Sequence, residues 1–465
     1  MLGALRATPM SEAGMRAARP AAPGAALSRR RVLLAGGAAL SGLWLAACGA
    51  GQSGETPPAR TQGPVTLRYV ASFGPSGATT FAGALTRLVE TFNARQTPVQ
   101  IQPISPTGNR NEAAMAMVVA GDPPDLFHAL PRDYHPFANI GALLELDPYL
   151  KKDRKLAPDV IPTILEYWAR GDKRYAMPNN WSPQAIYFNK ALFDKHGLKT
   201  PDQYEKEGKW TIDAYLDLAR RLTSGQGDQK IWGAPWVTPA LDIQLAFIWP
   251  FGGDMWDKAM ENALLDTPNS LEAIQFQADL SGKYGVSPTR SEESQLSRGI
   301  GGAIAAERAG MEIMTTDVVG MLVPTTFAKG MAPMPKGRAG RIVRANPIGI
   351  HIMKGSKDPD AAWEYVAFQS GPESARMMLE MHLTVPWLKS LLGSQEHARL
   401  LLPWESAAFY AESSNKVRPT PYPDQFAEIN RLYGDAYQQV RAGQKNARTA
   451  IAEIKPQIND LLKKK

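Results

Sequence analysis

The chain has 465 residues, 44% of them hydrophobic and 21% charged, with a formal net charge of +7 and a single cysteine. That length accommodates two or three ordinary domains with sizeable cores, and one cysteine excludes an internal disulfide framework. Residues 1–47 carry six arginines against one glutamate, which leaves the remainder at +2, too weak an electrostatic footprint for a nucleic-acid partner.

The first recognisable element runs from Ser28 through Arg29, Arg30 and Arg31 into an Ala/Gly/Leu run that ends Leu45-Ala46-Ala47-Cys48. A basic segment followed by about 16 weakly apolar residues reads as an export signal, too short and too glycine-rich for a comfortable membrane span. The pair Arg29-Arg30 in Ser-Arg-Arg-x-Val-Leu resembles the bacterial twin-arginine export signal, and Leu-Ala-Ala-Cys resembles a lipobox. These resemblances imply cleavage before Cys48, a lipid on its sulfur, and a body held at the membrane outside the cytoplasm. Residues 48–63, rich in Gly, Ser, Thr, Pro and Gln, cannot bury enough apolar surface to fold and read as a tether spanning about 20 to 25 Å.

Order begins with Val65, Leu67, Tyr69 and Ala71, which alternate as a strand. After the turn Gly74-Pro75-Ser76-Gly77, Phe81, Leu85, Leu88 and Phe92 share one helical face, with Thr79 or Thr80 as the cap. Val99 and Ile101 resume the strand period, which completes a βαβ unit. A helix over about 111–120 is broken by Pro123-Pro124 and followed by a buried strand. The stretches 143–150 and 162–169 read as helix or turn. Residues 185–190 form a strand, and the helix after it ends at Gly197. Thr211 caps a helix that places Ile212, Tyr215, Leu216, Ala219 and Leu222 on one face. Further helices are predicted at about 241–249, 269–284, 358–369 and 372–381, and two more over 425–462, broken near Gly443. No repeat of 20 to 50 residues is present. Alternating strands and helices with no second linker point to α/β lobes that share segments.

Four segments carry a family resemblance. They are Ala120-Gly121-Asp122-Pro123-Pro124-Asp125-Leu126; Tyr175 to Pro178 with Tyr187-Phe188-Asn189-Lys190-Ala191-Leu192-Phe193, Gly197-Leu198 and Trp210-Thr211; Ala306 to Met311; and Ala332 to Gly337 with Gly355 to Glu364. In order and spacing they resemble the family 1 extracellular solute-binding proteins, the maltose-binding-protein-like receptors of ABC importers. The resemblance covers nearly all of residues 64–465. It implies a two-lobed α/β clamp of the type II periplasmic-binding kind, each lobe a mostly parallel sheet flanked by helices, joined by a multi-strand hinge. Lobe 1 would comprise 64–178 and 335–385, and lobe 2 would comprise 179–334 and 386–465. The chain would cross near Met177 to Gln184, Pro324 to Pro335 and Leu383 to Leu388.

By position against the family motifs, ligand contacts would fall at Phe73, Arg132, Asp133, Trp181 and Asp317, with Trp404 or Tyr422 as a C-terminal aromatic. Loops at the carboxyl ends of strands suit such a role, and a sugar needs flat apolar faces together with charged or amide groups. Asp317 stands where many relatives carry a stacking tryptophan. The implied partners are a carbohydrate or related polyol and the permease subunits of an ABC transporter, with the receptor itself a monomer.

Enzyme chemistry has little support. The six histidines have no metal-ligand spacing, and neither a Gly-x-Ser-x-Gly elbow nor a Gly-Lys-Ser/Thr phosphate loop is present. No metal, cofactor or catalytic residue is therefore expected. Two alternatives stay open at this point: a lipidated glycoside-active enzyme with a similar aromatic-plus-acid site, and a receptor-like lipoprotein that feeds a membrane sensor.

Overall fold

The computed structural model describes residues 64–464 apart from 77, 79, 237, 294, 295 and 297–300. The export-signal and tether readings, with Arg29, Arg30 and Cys48, lie outside the described residues. No helix among those described is long and apolar enough to cross a membrane.

Among the described residues ten strands occur in chain order: β1 (Val65–Val70), β2 (Val99–Ile104), β3 (Leu126–Ala129), β4 (Ala169–Arg170), β5 (Lys173–Arg174), β6 (Met177–Asn180), β7 (Gln184–Asn189), β8 (Met311–Thr315), β9 (Lys329–Ala332) and β10 (Ile348–Ile352). The first lobe is built on a five-stranded sheet of order β2-β1-β3-β10-β6. In it β1 runs parallel to β2 and β3, with Val65 opposite Val99, while β10 runs antiparallel to β3 and β6. The helix Phe81–Asn93 buries Leu85, Leu88 and Phe92, and Thr80 caps it by accepting from the Gly83 N–H. Thr80, not Thr79, is thus the cap.

The second lobe holds the sheet β8-β7-β9, in which both pairings are antiparallel. The two-lobed α/β architecture stands, but the expectation of a mostly parallel sheet in each lobe does not hold for this one. The reason lies in the order of the chain: both partners of β7 arrive after a long helical excursion and return alongside it in the opposite sense. Alternate β7 side chains enter different cores: Ile186 and Phe188 pack with the helix Ile212–Leu222, and Ala185 and Tyr187 pack toward the first lobe's cluster. A third core lies among the helices Leu241–Ile248, Pro268–Gly282, Phe426–Arg441 and Ala447–Leu462.

The chain leaves the first sheet at Asn180 and enters the second at Gln184. Beside this crossing runs 344–346: the Gln184 N–H donates to the Arg344 carbonyl at 3.0 Å, and the Asn346 N–H to the Ser182 carbonyl at 2.8 Å. On its other side the Val385 N–H donates to the Trp181 carbonyl at 2.8 Å. Three segments bonded side by side form the hinge. The return crossing therefore lies near 344–346, about ten residues beyond the 324–335 expected. Residues 336–343 still pack on the second lobe: the Lys336 N–H donates to the Trp210 carbonyl, and Arg341 is buried against Glu205 and Glu412. Likewise 387–391 stays on the first lobe, where the Ile161 N–H meets the Trp387 carbonyl and Ser390 meets Asp159.

Candidate functional site: the interlobe cleft

A cavity of about 250 Å³ lies where the lobes face each other. Five separate stretches of chain bring side chains to it. The loop after β3 supplies Arg132, the start of β7 supplies Gln184, and β8 supplies Glu312, Ile313 and Thr315. The 3-10 turn Thr316–Leu322 adds Asp317 and Val318, and the hinge segment adds Arg344 and Asn346. Trp236, Thr238 and Ile243 close the side formed by the second lobe.

An ion-pair network borders the cavity. Asp242, 1% exposed, receives Arg344 at 2.8 Å, Arg132 at 3.2 Å and the Tyr422 hydroxyl at 3.0 Å, all on Oδ2. Burial alone would push the Asp242 carboxyl up, but the Arg344 and Arg132 guanidiniums and the Tyr422 hydroxyl overcome it and hold the group below its ordinary value. Arg132 comes from the first lobe and Asp242 from the second, so this contact bridges the cleft. A second bridge lies further along the rim, where Asp424 faces Arg170 at 3.4 Å and the Nδ1 of His135 at 3.4 Å. Burial lowers His135 to about 4 despite Asp424, so at neutral pH the imidazole is neutral and Arg170 carries the charge of the pair.

The two acids that line the cavity differ from Asp242. Glu312 is pushed up to about 7 by burial, with the Gly301 and Ile304 N–H groups pulling it down at 2.6 and 2.9 Å. Gly301 donates from a left-handed conformation, φ 85°, that favours glycine. Burial also raises Asp317, with the neighbouring Thr315, Arg344 and Asn346 opposing the rise. Three cavity-lining residues each hold a buried polar atom without a partner: Gln184 Oε1, Asp317 Oδ1 and Arg344 Nε. Buried polar atoms are normally satisfied, and leaving one unmade costs roughly 1–3 kcal/mol.

Arg132 and Asp317 are the two sequence-predicted residues that line this cavity. Tyr422 lies behind it, buried against Asp242. Asp133 sits beside Arg132 at 3.8 Å without lining the space. Phe73 packs edge-on against Tyr69 with ring centres 5.4 Å apart. Trp404 lies elsewhere, bordering a separate surface cavity with Phe188 and Lys190 and edge-on to Tyr187. Trp181 is wholly buried at the hinge, with Nε1 donating to Ser414 Oγ at 3.1 Å and Tyr167 edge-on to it. It is a hinge residue, and the loop exposure expected of it is absent. Asp242, Arg344, Glu312, Gln184, Trp236 and Asn346 were not singled out by the sequence; no local spacing marks them, because five distant stretches of chain bring the network and the cavity lining together. A larger concavity of about 980 Å³ lies between the helices Pro268–Gly282 and Phe426–Arg441, away from the cleft. Among the described residues no group of His, Cys, Asp and Glu could hold a metal ion.

Residues 78–376 match the family model described as bacterial extracellular solute-binding protein. The chain belongs to this family. Among structures similar to this solute-binding protein is an ABC substrate-binding protein of Listeria monocytogenes in complex with cycloalternan, with TM-score 0.73, 19% identity, and 85% of this chain and 98% of that one covered. The GacH receptor of Streptomyces glaucescens, solved unliganded and with acarbose, gives TM-score 0.70 at 19% identity over 86% and 98% of the two chains. UgpB of Mycobacterium tuberculosis in complex with glycerophosphocholine gives 0.72 at 18% identity over 86% and 99%. These likenesses show the two-lobed fold. A putative binding protein of Brucella abortus is 23% identical over 253 residues, 50% of this chain. The solute-binding protein spans about half, 54%, of that relative's length.

Proposed function

We propose that this chain is the extracytoplasmic substrate-binding receptor of an ABC importer, capturing a sugar or related polyol in the interlobe cleft and delivering it to the permease. The observation that carries this reading is the cavity itself: both lobes and the hinge contribute to it, and partnerless polar atoms sit on three of its lining residues. Hydroxyl groups both donate and accept, so one polyol can satisfy Gln184 and Asp317 as acceptors and Arg344 as a donor. Structural relatives co-crystallised with cycloalternan and acarbose support the carbohydrate class. Arg132 and Asp317 keep the ligand role inferred from sequence, now joined by Gln184, Glu312 and Arg344.

The proposal extends to an export signal over 1–47, lipid on Cys48, a tether over 48–63 and a body anchored outside the cytoplasm. The lobe assignment of 64–178 and 335–385 to lobe 1 and 179–334 and 386–465 to lobe 2 is proposed with its boundaries moved to 344 and 391, a reading supported by the contacts of 336–343 and 387–391. Closure can draw only on the ligand's extra affinity for the closed state. The test is small-angle scattering combined with thermal shift. A binding sugar should contract the particle and raise the melting temperature by mass action. Turnover of the sugar, or binding without contraction, would count against the receptor.

A further inference from the structure

We propose that the outer edge of β9, together with the concavity beside it, docks an extended acidic peptide segment of a partner protein, which adds to the second lobe's sheet as a further strand. This site is separate from the interlobe cleft and does not depend on the receptor reading.

The hydrogen-bond register leaves that edge open. β9 is the outermost strand of the order β8-β7-β9. Along β7 the backbone groups alternate between the two neighbours: the Asn189 N–H donates to the Gly310 carbonyl at 3.0 Å, on the β8 side, and the Lys190 N–H to the Ala328 carbonyl at 2.7 Å, on the β9 side. Phe188 lies opposite Gly330, so Gly330 bonds to β7, and the N–H and C=O groups of Lys329 and Met331 point away from it. Among the described residues neither enters another backbone hydrogen bond.

A concavity of about 510 Å³ opens beside this edge, within the size range of binding pockets. Lys329, Gly330 and Met331 line it from β9. The helix Pro201–Lys206 contributes one wall, and residues 403–409 contribute another with the half-buried rings of Trp404 and Phe409. Gly330 has no room for a side chain, since a Cβ there would lie 2.1 Å from the Phe188 ring. A strand laid along β9 would pair with Lys329 and Met331 and set alternate side chains against the aromatic wall.

Charge selects the occupant. Lys190, Lys206 and Lys329 all border the concavity. Lys190 is exposed, and its Nζ has no partner among the described residues. Lys329 Nζ is held by the carbonyls of Thr325 and Phe327 at 2.7 and 3.1 Å, without a carboxylate. The acids at the site are already engaged: Asp202 by Lys206 at 3.2 Å, and Glu405, 4% exposed at its side chain, by the Tyr410 hydroxyl and the Leu402 N–H. The uncompensated charge is therefore positive and complements an acidic segment. A second copy of this chain would bring the same lysines against these. Lysine alone can guard an edge, but guarding requires neither the concavity nor the two aromatic rings.

The test combines fluorescence anisotropy and single-residue hydrogen exchange on the full chain. The probes are labelled, acetylated octapeptides in which Glu or Asp alternates with Val, Ile or Phe, and the same peptides with Lys in place of the acids. In the free chain the Lys329 amide should exchange at least tenfold faster than that of Gly330. At least one acidic peptide should bind tenfold or more tighter than its lysine counterpart and slow exchange at Lys329 and Met331 at least tenfold. Lys190→Glu should weaken that peptide at least tenfold with the melting temperature close to wild type. A Lys329 amide as protected as Gly330 in the free chain overturns the proposal, as does a panel in which no acidic peptide binds or the lysine peptides bind equally well. Binding that leaves Lys329 and Met331 unprotected, or that Lys190→Glu does not weaken, also overturns it. Sedimentation showing a dimer that Lys190→Glu dissociates would assign the edge to a second copy instead.

Discussion

Arg132 on the first lobe and Asp242 on the second meet across the cleft at 3.2 Å, and the same Asp242 oxygen holds the buried Arg344 at 2.8 Å. The two arginines are not equivalent. Arg132 is 37% exposed at its side chain and Arg344 only 4%, so losing Arg132 leaves Asp242 paired, whereas losing Asp242 strands a cation in the interior.

From this follows an asymmetric mutational pattern. Asp242→Asn should cost about 3–5 kcal/mol in denaturant unfolding because it breaks a buried pair from one side. Arg132→Met should cost less than about 1 kcal/mol, yet shift the unliganded protein toward an opened form detectable by scattering. Equal stability losses in the two variants would contradict the network described.

Stability should depend on pH through Glu312. Its ordinary value of 4.5 is pushed up to about 7 in the folded chain, so between those values the folded state keeps a proton that the unfolded state has released. The contribution of this group is complete below about 4.5 and is lost as pH rises through 7. From pH 5 to 8, wild type should lose about 2–3 kcal/mol that Glu312→Gln does not lose. Urea melts at the two pH values give the difference directly; parallel slopes in both proteins would refute it.

Trp181 gives a prediction opposite to the one its sequence context suggests. Trp181→Phe removes the donor to Ser414 and leaves space at the hinge, a loss of about 1–3 kcal/mol in stability. Sugar affinity should stay within about threefold, since the ring does not line the cavity. A selective collapse of binding with stability intact would place the ring on the ligand after all.

Asp125, in the Gly-Asp-Pro-Pro-Asp turn, is a structural tie. It accepts from the Arg68 N–H at 2.8 Å, Ser356 Oγ at 2.8 Å and the Lys357 N–H at 3.1 Å, which fastens β1 to the segment after β10. Asp125→Ala should lower stability by about 2–3 kcal/mol, through lost hydrogen bonds to a charged acceptor, with ligand affinity of the folded fraction unaltered.

Much of the scaffold could be read from local pattern. The face of Leu85, Leu88 and Phe92 and the caps at Thr80, Thr211 and Asp358 are short-range features, and each forms as its spacing implies. Strand direction in the second lobe was not legible, because β7 meets β8 and β9 only after more than 120 residues of intervening chain, where hydrophobic period carries no sense of polarity. The same distance hid Asp242 and Arg344, 102 positions apart. Arg132 and Asp317 were reachable through loops aligned with family motifs. Trp181 was misjudged because a residue between two strands looks like a free loop until a third segment, Thr384 and Val385, packs beside it.

The position of β10 between β3 and β6 bears on how the molecule comes into being. During synthesis the ribosome releases β1, β2, β3 and β6 long before the strand that joins them, so the early chain carries two open edges with unpaired backbone groups. Aggregation risk is greatest in that interval. A fragment ending near residue 340 should therefore be insoluble or chaperone-bound, and extension past Ile352 should yield a soluble product only once the helices Phe426–Arg441 and Ala447–Leu462, which complete the third core, are also present. The molecule cannot be divided into two separately expressible halves by any single cut.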